Sequence, residues 1–229
     1  MKSNVIKHVF FDLDHTLWDF DKNSELTFQK IFQIHNLEIS IVDFLKIYEP
    51  VNLKYWKLYR DEKVNKEQLR YGRLKDTFDA LNYTVLDEVI YQLSDDYITY
   101  LSTFNHVFEH TMAILNYLKP KYNLHIITNG FHEAQHKKLV RSNISNFFKT
   151  VTNSEMAGVK KPNPLIFEYA LKAANASVEE SVMVGDNYEA DIIGALDCGI
   201  DAIFFNYHKH DFEPHIKVID DLIELKKYL

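Results

Sequence analysis

From about residue 105 onward the chain alternates short apolar runs with longer stretches of helical spacing. Residues 124–127, 149–152, 181–184 and 202–205 read as strands. Between and after them, 109–118, 133–141, 165–174, 189–198 and 220–227 repeat their apolar positions at helical intervals. Strands that alternate with helices in this way predict a parallel sheet covered on both faces. Local signals agree with that reading. Asn163-Pro164 offers a capping side chain followed by a proline in the first turn, and Gly199 suits the residue that stops the helix before it. An earlier apolar run, Val9-Phe10-Phe11, reads as one more buried strand.

The passage between that first strand and the alternating region is different text. Over residues 19–103 there is one glycine, Gly72, and one proline, Pro50. Helical spacing covers 25–34, 42–59, 66–81 and 87–100. This block reads as a helical insertion at 19–103, within an α/β core made of 1–18 and 104–229. A chain of 229 residues has room for both.

The first strand ends abruptly on Asp12, with Asp14 two residues later. Two carboxylates at one strand end repel by roughly 4 kcal/mol at about 4 Å, for an effective dielectric of about 20. A cation, a shared proton or separate environments must relieve that. A single acid after a strand is also an ordinary helix cap. Here, however, polar groups gather at later points too: Thr128-Asn129-Gly130, Lys160-Lys161-Pro162, and Gly185-Asp186 with Asp191 beyond. Ligands of open α/β sheets bind outside the carboxyl ends of the strands.

These segments carry a family resemblance. Asp12-Leu13-Asp14-His15-Thr16-Leu17 resembles the D-x-D-x-T-L signature of haloacid dehalogenase-like phosphatases. Ile126-Ile127-Thr128-Asn129-Gly130, then Gly158 to Pro162, then Val184-Gly185-Asp186 with Asp191, follow in the family's order. The resemblance implies a Rossmann-like doubly wound parallel sheet, with the helical insertion as the family's cap domain. It implies Asp12 as nucleophile and Asp14 as general acid and base. Thr128 and Asn129 would hold a phosphate oxygen, through a hydroxyl and backbone N–H groups at a helix start. Lys161 would pair with Asp12 and the phosphate, with Lys160 as competitor for that place. Mg2+ would be held by the carboxylates of Asp12 and Asp186 and the main-chain carbonyl of Asp14, an oxygen-only set that suits magnesium better than zinc. Asp191 would support the site from behind, although a charge at a helix start accounts for it nearly as well. An aspartate needs no base to attack phosphorus. A departing alkoxide needs a proton where a halide does not, so Asp14 favours phosphoester chemistry over dehalogenation.

Within the helical block, Asn52-Leu53-Lys54-Tyr55-Trp56 and Arg70-Tyr71-Gly72-Arg73-Leu74 are similar to segments of the house-cleaning pyrimidine 5′-nucleotidase subfamily. So is Thr16-Leu17-Trp18-Asp19-Phe20. That similarity implies a nucleoside 5′-monophosphate substrate, with Trp56 and Arg73 as candidate contacts. The stripe Tyr48, Asn52, Tyr55, Tyr59 has helical spacing and reads first as a packed face. Left open are a phosphatase or phosphomutase for sugar phosphates or other small phosphoesters, a haloacid dehalogenase, and a non-catalytic binding protein of the same fold.

One competing motif is set aside. His132-Glu133-Ala134-Gln135-His136 satisfies the zinc-protease pattern H-E-x-x-H. It opens the helix after Thr128-Asn129-Gly130, however, and no third ligand stands at a recognisable spacing. His106 and His110 share that spacing and read as surface or capping residues. The net charge of -7, without a long basic run, argues against nucleic acid. No apolar run approaches a membrane span. A single cysteine, Cys198, fits a reducing compartment. The expectation is therefore a cytoplasmic enzyme, a monomer or small homo-oligomer, acting on a small phosphoester.

Overall fold

The structure is a computed structural model describing residues 5–209, 211–212 and 215–229. Its strands are β1 (His8–Phe11), β2 (Asn123–Thr128), β3 (Phe148–Asn153), β4 (Ser181–Gly185), β5 (Asp201–Phe205) and β6 (Lys217–Ile219). They form one sheet in the order β3-β2-β1-β4-β5-β6, with every neighbouring pair parallel. All four residues of β1 and all five of β4 are buried, as strands covered on both faces must be. The chain runs outward from β1 through β2 to β3, then returns to the other side of β1 for β4. That reversal makes the β1/β4 boundary a topological switch point, the place where such sheets bind ligands.

The helices are α1 (Phe20–Ile34), α2 (Ile41–Arg60), α3 (Lys66–Ala80), α4 (Asp87–Leu101), α5 (Thr111–Leu118), α6 (His132–Arg141), α7 (Ser154–Ala157), α8 (Pro164–Ala174) and α9 (Gly194–Asp197). On one face of the sheet, Phe10, Met183 and Phe204 join Ile166 and Phe167 of α8 in a buried cluster. Full burial of such side chains contributes about 1.5–3 kcal/mol each. Asn163 caps α8, its Oδ1 accepting from the Leu165 N–H, and Pro164 occupies the first turn. Gly199, at φ 78°, takes the left-handed conformation that ends the preceding turn.

Contacts divide the chain into two compact units, Met1–Phe20 with Asn105–Leu229, and Asp21–Phe104. The boundaries expected from the sequence are 18/19 and 103/104. The second unit is helical, and its core is aromatic. The Phe28 ring lies 4.6 Å from Tyr48, 4.7 Å from Phe44 and 4.7 Å from Tyr97, centroid to centroid. Asn65 and Gln68 close a capping box at the start of α3, satisfying two orphan donors reciprocally.

Four expected elements differ, the first being the helix expected from 25, which starts at Phe20. The segment read as a helix over 220–227 is a 3-10 helix, Leu222–Lys227. The segment read over 189–198 is a widened π turn, Tyr188–Ile193, running into the short α9. The helix read from 109 starts at Thr111, because His110 sits in the left-handed region at φ 64°. The edge strand β6 was not expected at all.

Candidate active site

The carboxyl end of β1 delivers Asp12 into the switch-point crevice. Its main-chain N–H still bonds the Val184 carbonyl of β4 at 2.9 Å, so the ladder holds the residue in place. Beyond it the chain doubles back tightly: Leu17 and Trp18 both donate to the Leu13 carbonyl, and His15 adopts φ 63°. The loop brings Asp14 and Thr16 to the same end of the sheet.

Lys161 is the hub. Its side chain is 2% exposed, and its Nζ donates to Asp12 Oδ1 at 2.6 Å, Asp191 Oδ1 at 2.6 Å and the Ile127 carbonyl at 2.7 Å. Three donors meet three acceptors, which is the full capacity of an ammonium group. Of the two adjacent lysines, it is Lys161 whose ammonium reaches the carboxylates. Asp191 lies on the π turn, where the Asn187 carbonyl accepts from both Asp191 and Ile192. Its second oxygen accepts from the Asn187 N–H at 3.0 Å. Gly185 makes this approach feasible, since a Cβ there would lie 2.3 Å from Asp191 Oδ2. Asp191 is therefore buried and touches the lysine directly.

Asp186 follows β4, and Thr16 Oγ1 donates to its Oδ1 at 3.0 Å. One carboxylate oxygen each from Asp12, Asp186 and Asp191 lie within 4.8 Å of one another. Three acids facing one lysine leave the cluster short of positive charge. Burial, with the neighbouring Asp191 and Asp14 charges, raises the Asp12 carboxyl to about 7 against the pull of Lys161. Asp186 is held well above the ordinary carboxylate range, by desolvation first and then by Asp191 and Asp12. Burial depresses Lys161, but the Asp12 and Asp191 charges outweigh it and the ammonium stays protonated. Crowding and burial thus oppose ionisation of Asp12 in the metal-free site, and a cation there favours the carboxylate. An all-oxygen cluster with surplus negative charge fits a hard divalent cation. Asp191 belongs to that set of carboxylates as much as Asp12 and Asp186 do.

Thr128 closes β2. Its Oγ1 accepts from the Gly130 N–H at 3.1 Å and from Gln135 Nε2 at 2.7 Å, leaving its own O–H to donate. Asn129 uses its side chain within the fold. Its Nδ2 donates to the Lys161 carbonyl at 3.0 Å and its Oδ1 accepts from the Lys161 N–H at 2.7 Å. That two-way clasp uses the side-chain amide to hold the Lys161 backbone; the expected phosphate contact there is through the main-chain N–H.

Three contacts escaped the sequence reading. Lys138 Nζ bonds Asp14 Oδ1 at 2.6 Å, Gln135 Nε2 bonds Asp14 Oδ2 at 2.9 Å, and Thr16 holds Asp186. Thr16 stood inside the motif without an assigned role. Gln135 and Lys138 share a helix face at i, i+3 spacing, a signal present in the sequence but hidden beside His132 and His136. Those two histidines are exposed on α6, and His132 Nδ1 accepts from Asn153 at 2.9 Å.

In the helical unit, Arg73 is 2% exposed. Its Nη1 donates to Asn52 Oδ1 at 3.0 Å, and its guanidinium lies 4.8 Å from the Tyr97 ring and 5.9 Å from Tyr48. It is spent on the unit's own core, a cation held against aromatic faces. Tyr48 and Asn52 are buried there as well. Trp56 packs edge-on against Tyr59 at 5.8 Å.

Residues 6–199 match the family model for haloacid dehalogenase-like hydrolases. The chain belongs to that family. This haloacid dehalogenase-like hydrolase is 31% identical over 225 residues to the pyrimidine 5′-nucleotidase YjjG of Escherichia coli, covering 96% of each chain. It is 34% identical over 238 residues to a glyceraldehyde 3-phosphate phosphatase of Methanothermobacter thermautotrophicus, covering 98% of this chain and 100% of the relative. Among solved structures, YfnB of Bacillus subtilis bound to magnesium superposes with a TM-score of 0.89 at 24% identity, covering 98% of this chain and 99% of that one. The likeness to YfnB shows the fold. No helix among the described residues is long and apolar enough to cross a membrane.

Proposed function

We propose that the protein is a magnesium-dependent phosphomonoesterase that hydrolyses pyrimidine nucleoside 5′-monophosphates through an aspartyl-phosphate. The observation that carries this is the Lys161 ammonium, 2.6 Å from both Asp12 and Asp191 at the carboxyl end of β1. A nucleophilic carboxylate must meet a phosphate dianion, and a fixed cation at that point offsets the repulsion. Asp12 Oδ attacks phosphorus and the ester P–O bond breaks. The Asp14 carboxyl gives its proton to the departing alkoxide. Water then attacks the acyl-phosphate, its proton passes to Asp14, and inorganic phosphate leaves with Asp12 regenerated. The Thr128 hydroxyl donates to a phosphoryl oxygen. Magnesium held by Asp12, Asp186 and the Asp14 carbonyl, with Asp191 beside them, would supply charge neutralisation of the phosphoryl group. The helical unit takes the part of the family's cap, which selects the substrate, and the enzyme works in the cytoplasm on a small molecule.

Support for the nucleotide comes from the pyrimidine 5′-nucleotidase relative, which aligns over nearly its whole length. The glyceraldehyde 3-phosphate phosphatase, aligned as fully, supports a second reading in which a triose or other sugar phosphate is the substrate. Phosphate release from a panel of pyrimidine and purine nucleoside monophosphates, glyceraldehyde 3-phosphate and hexose phosphates separates them. Deoxy and modified pyrimidine nucleotides are expected to lead by about tenfold or more in kcat/KM. A higher value for the triose phosphate overturns the nucleotide assignment in favour of the second reading. Addition of EDTA is expected to abolish release from every ester.

The raised carboxyls also predict how magnesium and pH act on stability. A carboxyl near 7 in the folded state, against about 3.8 unfolded, binds more protons folded than unfolded between those values. The contribution of this carboxyl to the stability of the metal-free protein therefore falls as pH rises through that window. Magnesium competes with those protons. Its stabilisation in a thermal-unfolding assay should be small near pH 5 and should grow toward pH 8. A shift independent of pH would place the ion away from this cluster.

A further inference from the structure

We propose that Gln135 and Lys138 of α6 are positioning residues that clamp Asp14 for proton transfer. The inference rests on the phosphatase reading above and adds residues outside the four motifs. Both side chains are buried, Gln135 fully and Lys138 to 3% exposure. Each takes one oxygen of the same carboxylate: Lys138 Nζ holds Oδ1 at 2.6 Å and Gln135 Nε2 holds Oδ2 at 2.9 Å. Two donors on two oxygens fix the plane of the carboxylate as well as its place.

The clamp is itself supported. The Lys138 ammonium lies 4.4 Å from the Trp18 ring centroid and 5.4 Å from that of Phe20, so aromatic faces hold it where water would otherwise compete. The indole is anchored in turn by its Nε1–H bond to Ser142 Oγ at 3.1 Å. Gln135 Nε2 also donates to Thr128 Oγ1 at 2.7 Å, while its Oε1 is buried without a partner. An amide that leaves its acceptor orphaned is oriented for its donors, here the oxygens of Asp14 and Thr128. Gly130 clears the space, since a Cβ there would lie 2.1 Å from Gln135 Nε2. One amide thus ties the proposed phosphate-binding hydroxyl to the proposed proton donor, and α6 sets the distance between them.

A side chain that positions the acid affects the step that needs a proton and spares the step that does not. The first turnover is therefore followed with a nucleoside 5′-monophosphate, whose alkoxide must be protonated, and with p-nitrophenyl phosphate, whose phenolate leaves unaided. Lys138→Met is expected to lower kcat on the nucleotide by about tenfold or more, with KM changed by less than about threefold. The nitrophenolate burst should keep its rate. Lys138→Arg should restore part of the nucleotide rate. Equal losses on both esters in the first turnover, or an unchanged kcat, overturn the clamp. Should Lys138→Met fail to fold, Lys138→Gln, which keeps a polar end but loses the ammonium, is read for the same pair of outcomes. A wild-type protein that hydrolyses neither ester overturns the phosphatase reading itself, which is a different result from an unselective loss in the variants.

Discussion

Replacing Asp12 by Asn is expected to abolish phosphate release, with kcat lowered on the order of 10⁴-fold or more. The amide is nearly the same size as the carboxylate and can still meet the Lys161 ammonium through its oxygen, so the architecture should survive. What disappears is the nucleophile, and no neighbouring group takes its place: Asp191 is bound to Lys161 and to the Asn187 N–H, and Asp186 to Thr16. The stability consequence runs the other way. Burial and the adjacent charges oppose ionisation of Asp12, so the carboxylate form costs folding free energy above about pH 7 in the metal-free protein. The Asn variant should unfold at an equal or higher temperature than wild type in EDTA at pH 8. It should also gain less from added magnesium. Phosphate release and thermal unfolding on one preparation check both halves. Retained turnover would remove Asp12 from the mechanism. A large loss of stability in EDTA would mean that Asp12 is a structural partner of Lys161 first.

Much of this architecture is legible in the sequence because it is written in local patterns. β2 to β5 were placed within about a residue because each is a short run with polar flanks, and α8 announced itself through its Asn163-Pro164 start. β6 was missed since it is a three-residue edge strand with an exposed first residue, Lys217, and too short to show a period. The π turn was read as ordinary helix because its apolar spacing is helical. The extra residue in the turn shows itself only in the shared Asn187 carbonyl and in the place it gives Asp191. The 3-10 helix at the end of the chain escaped for a related reason, as composition does not separate it from an α-helix.

The site divides along the same line. The motif residues could be named from the sequence because a family resemblance fixes their order. Their partners could not. Gln135 and Lys138 reach Asp14 across 121 and 124 positions of chain, and nothing local marks a lysine on an amphipathic helix as buried. Asn129 adds another partner of this kind, its side-chain amide matched to both polar groups of the Lys161 backbone. Arg73 was read toward a ligand because an arginine among tyrosines can serve either a base or a core. Burial decides for the core: Asn52 accepts from Nη1 and the guanidinium lies against the Tyr48 and Tyr97 rings, while Nε is buried without a partner.

Lys161→Met should cost both stability and activity, and the two losses should respond differently to the solution. The methionine fills much of the same volume but leaves Asp191, which is 1% exposed, and Asp12 without their cation. Breaking one side of a buried ion pair typically costs about 3–5 kcal/mol. Lys161 is protonated in folded and unfolded chains alike until well above neutrality, so the wild type holds this contribution throughout the physiological range. In the variant the carboxylates can recover only by taking up protons. Its deficit relative to wild type should therefore be small near pH 5 and widen toward pH 8. Magnesium should restore part of the lost stability by neutralising the same carboxylates. It should not restore turnover, which is expected to remain about 10³-fold or more below wild type, because the charge is then no longer held between Asp12 and the Ile127 carbonyl. Urea unfolding at both pH values, with and without magnesium, is to be read beside phosphate release. If magnesium returned stability and activity together, the ammonium would be serving only as a counter-charge. Stability returning alone would identify its location, 2.6 Å from the proposed nucleophile, as the property that catalysis requires.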